Sequence, residues 1–485
     1  MVAAPIHLPV GNTAGARAPV ARRLMLCLIV VLGLLAVRLI WGHYTARAVR
    51  AEVEALRARG EPLEVGDFPF VEVPDAENAA KYHQDAAAAA VPGVDSPRAT
   101  NMVYAGYPPF DAEWMAAAEG SEGAHGKLFA LAREARRHRR VQWDPKPMTG
   151  PLVAQWRGNL NATRHLANLL ADGATLAHVR GDDVEAIERI RDLLHLARSV
   201  RHDDTLISQL VGAGIDALTC DATMILAPGL RLDASSGATS APATRAAVQA
   251  LIAELLDEDM LRRGFVQGLR FERAITHELV QKKGAGTWVI RPLVSTQLLR
   301  DHRNFDVYLE AAALPDKPRV MAAFGRVSSQ SPIGRTGDMP RYSRWFGDMQ
   351  NTQRYFETRF RLTGERRVAA TSLAAQHFRA EHARWPTALA ELVPAYLPAV
   401  PLDPYKVDEP LGYVVFPRAL PDGRDRPMLF FRASETVDND IGPYPEPMYG
   451  WENARTLVRR IIWQYRDLSR FIPPPASTQA VDDQP

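Results

Sequence analysis

The densest group of side chains able to do chemistry is His377-Phe378-Arg379-Ala380-Glu381-His382. A histidine and a glutamate one helical turn apart share a face, which is how the H-E-x-x-H and H-x-x-E-H zinc proteases place ligand and base. The spacing here is neither, and His382 points about 100° away from the shared face. A surface pair between His377 and Glu381 is the plainer reading. His277-Glu278 lacks a second histidine four residues after the first. No G-x-S-x-G, phosphate-binding loop or G-x-G-x-x-G stands in a strand–turn–helix setting. Asp182-Asp183 and Asp203-Asp204 fall at expected helix starts, where capping accounts for them. Asn161-Ala162-Thr163 has the form of a glycosylation acceptor but lies inside an expected helix. His165, His195 and His202 are spread over the helical middle of the chain, and a hydrolase site would need the fold to gather them with acids from neighbouring helices. The sequence itself therefore assigns no catalytic and no cofactor-binding residue.

Charge and cysteine usage narrow the classes. The net charge of +2 gives no basic excess of the kind an extended nucleic-acid surface needs. There are two cysteines, Cys27 in an apolar run and Cys220 in an expected soluble helix, so neither a disulfide framework nor a cysteine metal site is indicated. The bases are mostly arginine, with only seven lysines, a bias that together with abundant alanine reads as genomic composition.

The elements that would position any site begin with Leu24–Trp41, LMLCLIVVLGLLAVRLIW, broken only by Arg38. At helical rise this run covers roughly 27 Å, one hydrocarbon core. Arg22-Arg23 precede it at once and no acid occurs before it, the layout of an uncleaved signal anchor. Ala46-Arg47-Ala48 has the small-x-small form of a cleavage site, but the bulky Trp41, His43 and Tyr44 lie just before it. Arg38 is expected to snorkel to the interface beside Trp41 and Tyr44. Nearby bases tie, Arg17, Arg22 and Arg23 against Arg38, Arg47 and Arg50, and the doublet touching the run favours the N-terminus inside and the body outside.

After the run, Tyr44–Arg59 reads as a helical continuation stopped by Gly60 and Pro62, followed by an extended linker and a helix opened by Pro74-Asp75-Ala76-Glu77. Lys127–Arg140 is a strongly basic helix that reads as a solvated face. From Pro151 to Lys283 the helical periodicity is strongest: Leu160, Ala167, Leu170, Ala174 and Ala177, then Val184, Ile187, Ile190, Leu194 and Ala197. Gly181-Asp182-Asp183 joins these two helices as in a tetratricopeptide-type hairpin, without a recurring period. A third helix is expected over Thr205–Leu226. A long helix from Thr244 toward Lys283 is expected to bend near Gly264 and Gly268, with its acids and bases on exposed faces. Val294–Ala313 reads as a further helix, and Ala323–Tyr342 as a boundary.

A helix over Phe346–Arg384 then leads into Trp385-Pro386, Leu392-Val393-Pro394, Asp403-Pro404-Tyr405, strands at Tyr413–Phe416 and Met428–Arg432, and an acidic turn at Asp438-Asn439-Asp440. This C-terminal stretch resembles the C-terminal half of the major pseudopilins of type II secretion. The same cassette, preceded by helical hairpins and an Asp-x-Glu-Asn-Ala-Ala segment like Asp75–Ala80, resembles a planctomycete-like helical family of membrane-anchored bacterial proteins. The run lacks the processing Gly and early Glu of a pseudopilin leader, so the resemblance does not extend to polymerisation. It implies a weak calcium site at Asp438 and Asp440, where two carboxylates with Asn439 and backbone oxygens would serve a hard cation; six to eight ligands are needed, and a solvated turn is the simpler alternative. Asn453–Phe471 reads as a packing helix and the tail as disordered.

The expected fold class is mainly α: a single transmembrane helix, a helical-hairpin body and a small α+β pseudopilin-like C-terminal module. The expected divisions are 1–23 (cytoplasmic segment), 24–41 (span), 42–150 (stalk and linker), 151–345 (α-helical domain), 346–471 (long helix and module) and 472–485 (tail). The expected role is a scaffold or protein-interaction module of the bacterial inner membrane, its bulk periplasmic, with an envelope protein as partner and possible links to secretion machinery. The alternative is an envelope hydrolase with a site assembled from distant residues.

Overall fold

A computed structural model describes residues 17–97, 110, 112–143, 153–232, 241–284, 288, 290–330, 349–416 and 425–431. The fold is mostly helical with one small sheet, and it forms two compact units, residues 1–64 with 273–303 and residues 65–272 with 304–485.

In the first unit the helix α1 (Arg17–Ala58) begins before the apolar run and continues unbroken beyond it. Every large apolar side chain from Leu24 to Trp41 is exposed, Leu24 and Leu34 at 66%. This helix is long and apolar enough to cross a membrane. The chain leaves it through Gly60 at φ 71, the left-handed position that helix ends reserve for glycine. Beyond Tyr44 the helix joins a core: Val49, Leu56 and Leu63 are buried together with Ala274 and Leu298. These last two come from α9 (Asp259–Gly284) and α10 (Arg291–Ala312), and the fully buried Arg273 is ion-paired with Glu61.

The second unit opens with α2 (Ala79–Ala88), α3 (Ala112–Ala124) and α4 (Gly126–Ala135). Asn78 caps α2, accepting from Ala80 N at 3.1 Å, and its amide clasps Gln142 by donating to its carbonyl at 2.8 Å. Next come α5 (Val153–Val179), α6 (Asp183–Val200) and α7 (Leu206–Leu226), packed side by side. Gly181 at φ 94 turns the chain between α5 and α6, and Asp182 accepts from Glu185 N at 2.9 Å, the hairpin turn expected from the sequence. Its neighbour Asp183 does not cap; it is buried and receives Arg231 Nε at 2.7 Å and the His178 ring at 2.5 Å. Thr205 caps α7 by accepting from Ser208 N at 3.2 Å. By composition α7 also passes as a membrane span, but its apolar window is 72% buried, which makes it a core helix.

The expected long helix from Thr244 is two helices. α8 (Arg245–Leu256) ends at Asp257, whose ψ of 90° leaves the helical region, and α9 restarts at Asp259. Gly264 and Gly268 lie inside continuous helix, and close approach explains them: a Cβ at 264 would fall 2.4 Å from Gln209 Oε1, and one at 268 would fall 3.1 Å from Leu206 Cδ1. The basic helix also departs from expectation. Arg133 Nε donates to the buried Asp192 at 2.6 Å and Arg136 Nε lies 3.2 Å from it, so this face is tied to α6 and is not simply solvated.

After α11 (Lys317–Gln330), α12 (Met349–His382) lies along α7 and α8 and carries the arginines that end other helices. Arg359 donates to the carbonyls of Ala312 and Leu314 at 2.9 and 3.1 Å, closing α10. Arg366 donates to those of Glu254, Leu255 and Asp257 at 2.8, 2.9 and 3.0 Å, closing α8. Helix ends leave such carbonyls without intrahelical donors, and a buried end must find them elsewhere. The strands β1 (Gly412–Phe416) and β2 (Arg426–Phe430) pair antiparallel, Gly412 opposite Phe430. Gly364 of α12 admits the Phe431 ring, whose nearest carbon would be 2.8 Å from a Cβ there. One core joins residues from Ala86 through α5–α8 to α12 and Phe431.

Replacing Arg366 by Leu strands three carbonyls and leaves Asp216, with which it pairs at 3.0 Å, only Arg201 as counter-charge. Chemical denaturation of the purified variant is expected to show a loss of about 3–5 kcal/mol. A loss below about 1 kcal/mol would mean the helix ends find other donors.

Candidate functional site

Four groups of titratable side chains stand out. On α12, Glu381 accepts from the Tyr396 hydroxyl at 2.5 Å, is ion-paired with Arg245 of α8, and lies 3.3 Å from His377 Nε2. His382 Nε2 is 3.2 Å from the same hydroxyl, whose proton goes to Glu381, so the imidazole donates. The Tyr396 bond and Arg245 hold Glu381 below the ordinary glutamate range, while burial and that carboxylate push Tyr396 up to about 12. His377 and Glu381 are paired, but not at the surface as expected: the histidine is buried at 7% exposure. His382, a turn-position away, reaches the cluster through Tyr396. The cluster joins the start of α8, the end of α12 and the following loop.

In a second group His195 of α6 meets His83 of α2, Nδ1 to Nε2 at 3.2 Å, with Trp143 stacked on His83 at 6.3 Å between centroids. Burial holds both imidazoles neutral, His195 down to about 4 and His83 well below the usual range. The first unit contains a third group: His277 Nδ1 lies 3.3 Å from His302 Nε2, with Asp301 accepting from Gln297 at 2.8 Å and raised to about 7 by burial.

The fourth group lines a cavity of about 530 Å³ between the α6–α7 connection, α9 and the end of α10. Its walls carry Arg201, His202, Asp204, Arg262, Arg263 and Arg270, with Met260, Val266 and Ala312 between them. Arg201 is buried; its Nη1 reaches Asp216 at 2.6 Å while Nε and Nη2 hold no hydrogen bond. Arg262 pairs with Asp259 at 2.7 Å. His202 and Asp204 also line a second cavity of about 410 Å³, walled by Phe68, Phe70, Val71, Trp143 and Phe271. Four guanidiniums stand against Asp204 on the wall and against Asp216 and Asp259, the partners of Arg201 and Arg262, and this basic excess suits an anion, since Arg presents paired N–H donors to carboxylate or phosphate. The structure thus puts His202 with Asp204 on one cavity wall and His195 with His83, while His165 is half-buried on α5.

No group of three or more His, Cys, Asp or Glu among the described residues is placed to hold a metal. Asp438 and Asp440, the candidate calcium ligands, lie outside the described residues. Sequence reading missed His83 and the arginines of α9 as site residues. Arg263 and Arg270 are seven apart, a same-face spacing that was open to notice. Comparison with protein-family models, curated proteins and solved structures finds no match to this chain.

The histidine pair predicts a pH dependence. Both imidazoles titrate lower in the folded chain than the ordinary 6.5, so the unfolded chain takes up protons first. Their contribution to stability is full above about pH 6.5 and is lost as pH falls toward about 4. Urea midpoints of the detergent-solubilised chain across this window are expected to fall less steeply in His195→Gln than in the unsubstituted protein. Equal slopes would contradict the assignment.

Proposed function

We propose that the protein is a membrane-anchored interaction module of the cell envelope, in which α1 is the span and the helical body meets a partner. The observation that carries this reading is the sleeve of exposed apolar side chains from Leu24 to Trp41, the length of a hydrocarbon core, on a helix that continues into the folded first unit. Continuity favours an anchor over a removed signal, because Ala46-Arg47-Ala48 lies within regular helix and the flanking Thr45 and Val49 are buried. Arg22-Arg23 against the run favour the N-terminus inside, which puts the body in the bacterial periplasm. The long α12, the Pro-rich stretch after Trp385-Pro386 and the β1–β2 pair are consistent with a pseudopilin-like cap and so with a secretion-linked partner. The basic cavity of the second unit is the contact we assign to that partner, which would present a carboxylate- or phosphate-bearing group.

Affinity capture of the tagged, membrane-extracted chain, followed by mass spectrometry, tests the reading. Envelope components are expected with the unsubstituted chain and are expected to be lost with Arg263→Glu/Arg270→Glu. Recovery of the same components by the variant would remove the cavity as the contact, and a solitary chain would contradict the module reading.

A further inference from the structure

Arg38 is the one charge in the apolar run, about 21 Å along the helix from Leu24 and about 4.5 Å short of Trp41. A charge at that depth is costly and marks the place of its partner. The partner is Trp288 in the connection between α9 and α10: the Arg38 guanidinium donates to the Trp288 carbonyl and lies 4.4 Å from the centroid of its ring. One turn on, a Cβ at Gly42 would sit 3.6 Å from Pro292 Cγ. Trp288 and Pro292 therefore lie against α1 at Arg38 and Gly42, all within the first unit.

Because Arg38 lies inside the run, whatever stacks on it shares the depth of the run's C-terminal end. Around this contact, before α10 and in its first turn, apolar side chains are exposed, Trp288 at 53%, Ile290 at 45% and Leu293 at 57%. Trp41 and Tyr44 are exposed on α1 beside it, and Arg47, Arg50 and Arg291 lie exposed just beyond. Tryptophan and tyrosine at the headgroup level, aliphatic side chains pointing inward and a basic fringe toward anionic headgroups make up the composition of an interface-bound segment.

We propose that Trp288 and Ile290, just before α10, and Leu293 in its first turn make a second membrane contact, an interfacial foot set into the lipid surface beside α1. The proposal rests on the reading of α1 as a span. Two points of attachment would fix the rotation and tilt of the first unit on the bilayer, which one helix alone leaves to its flanking anchors.

Site-directed labelling in the full chain tests it. In a Cys27→Ser background, an environment-sensitive fluorophore is placed at Leu293→Cys, at Ile290→Cys, at Ile29→Cys within the run, and at the exposed Leu210→Cys of the second unit. The proteins are reconstituted into phosphatidylcholine–phosphatidylglycerol vesicles containing lipid spin-labelled near the headgroup, which reads positions 290, 293 and 210, and in parallel into vesicles with lipid spin-labelled along the acyl chain, which reads position 29. Positions 293 and 290 are expected to lose about half their emission to the quencher, as interfacial residues do, and position 210 to lose none. Quenching at 29 with 293 and 290 behaving like 210 would overturn the foot and leave the span standing. An unquenched label at 29 would overturn the span, and the foot with it.

Discussion

The second unit depends on one buried cation. Arg366 sits almost wholly inside the protein and distributes its N–H groups over the carbonyls of Glu254, Leu255 and Asp257 and the carboxylate of Asp216. An unpaired guanidinium there would be prohibitively expensive, and a helix end with unmet carbonyls would be nearly as bad. Each problem solves the other. The fully buried Asp216 of α7 supplies the counter-charge, shared with Arg201 at the end of α6, so α6, α7, α8 and α12 converge on one electrostatic knot. Arg359 repeats the device for α10 without a carboxylate, and burial draws it down to about 10. Around these fixed points the apolar faces of α5–α8 and α12 close into one core.

The same knot shapes the candidate contact. Arg201 holds the α6–α7 connection where His202 and Asp204 form the wall of the basic cavity, while the break between α8 and α9 starts the helix that carries Arg262, Arg263 and Arg270. In the first unit the constraint is different: an apolar helix whose single internal charge finds an aromatic and a carbonyl at Trp288. Arg38 was expected to reach the interface unaided, and it has a partner from a segment some 250 residues later in the chain.

Where the governing physics is local, the sequence was readable. The apolar run, the Gly181-Asp182 turn, the helix ending at Leu226 and the two strands near Tyr413 and Met428 each follow from residues within a few positions of one another, although that helix is capped by Thr205 where Asp203-Asp204 were expected to serve. Ile187, Ile190, Leu194 and Ala197 are buried on the expected face, although Val184 at the first turn is 43% exposed. What was not readable is long-range pairing. An arginine at a helical position looks the same whether water or a carboxylate 150 residues away receives it, so Arg133 and Arg136 read as solvated charge and Arg366 drew no notice. The end of α8 carries neither Gly nor Pro at Leu256-Asp257, because its stop signal is supplied by α12. Gly264 and Gly268 suggested a bend on local grounds, whereas their reason is the helix lying against them.

Whether α1 resides in the membrane as a span is tested most directly by alkaline carbonate extraction of membranes containing the full chain. The chain is expected to remain with the lipid at its full length, and to enter the soluble fraction when Leu28 and Leu32 are both replaced by Arg. A chain shortened at its N-terminus, or released by carbonate without substitution, would contradict the account.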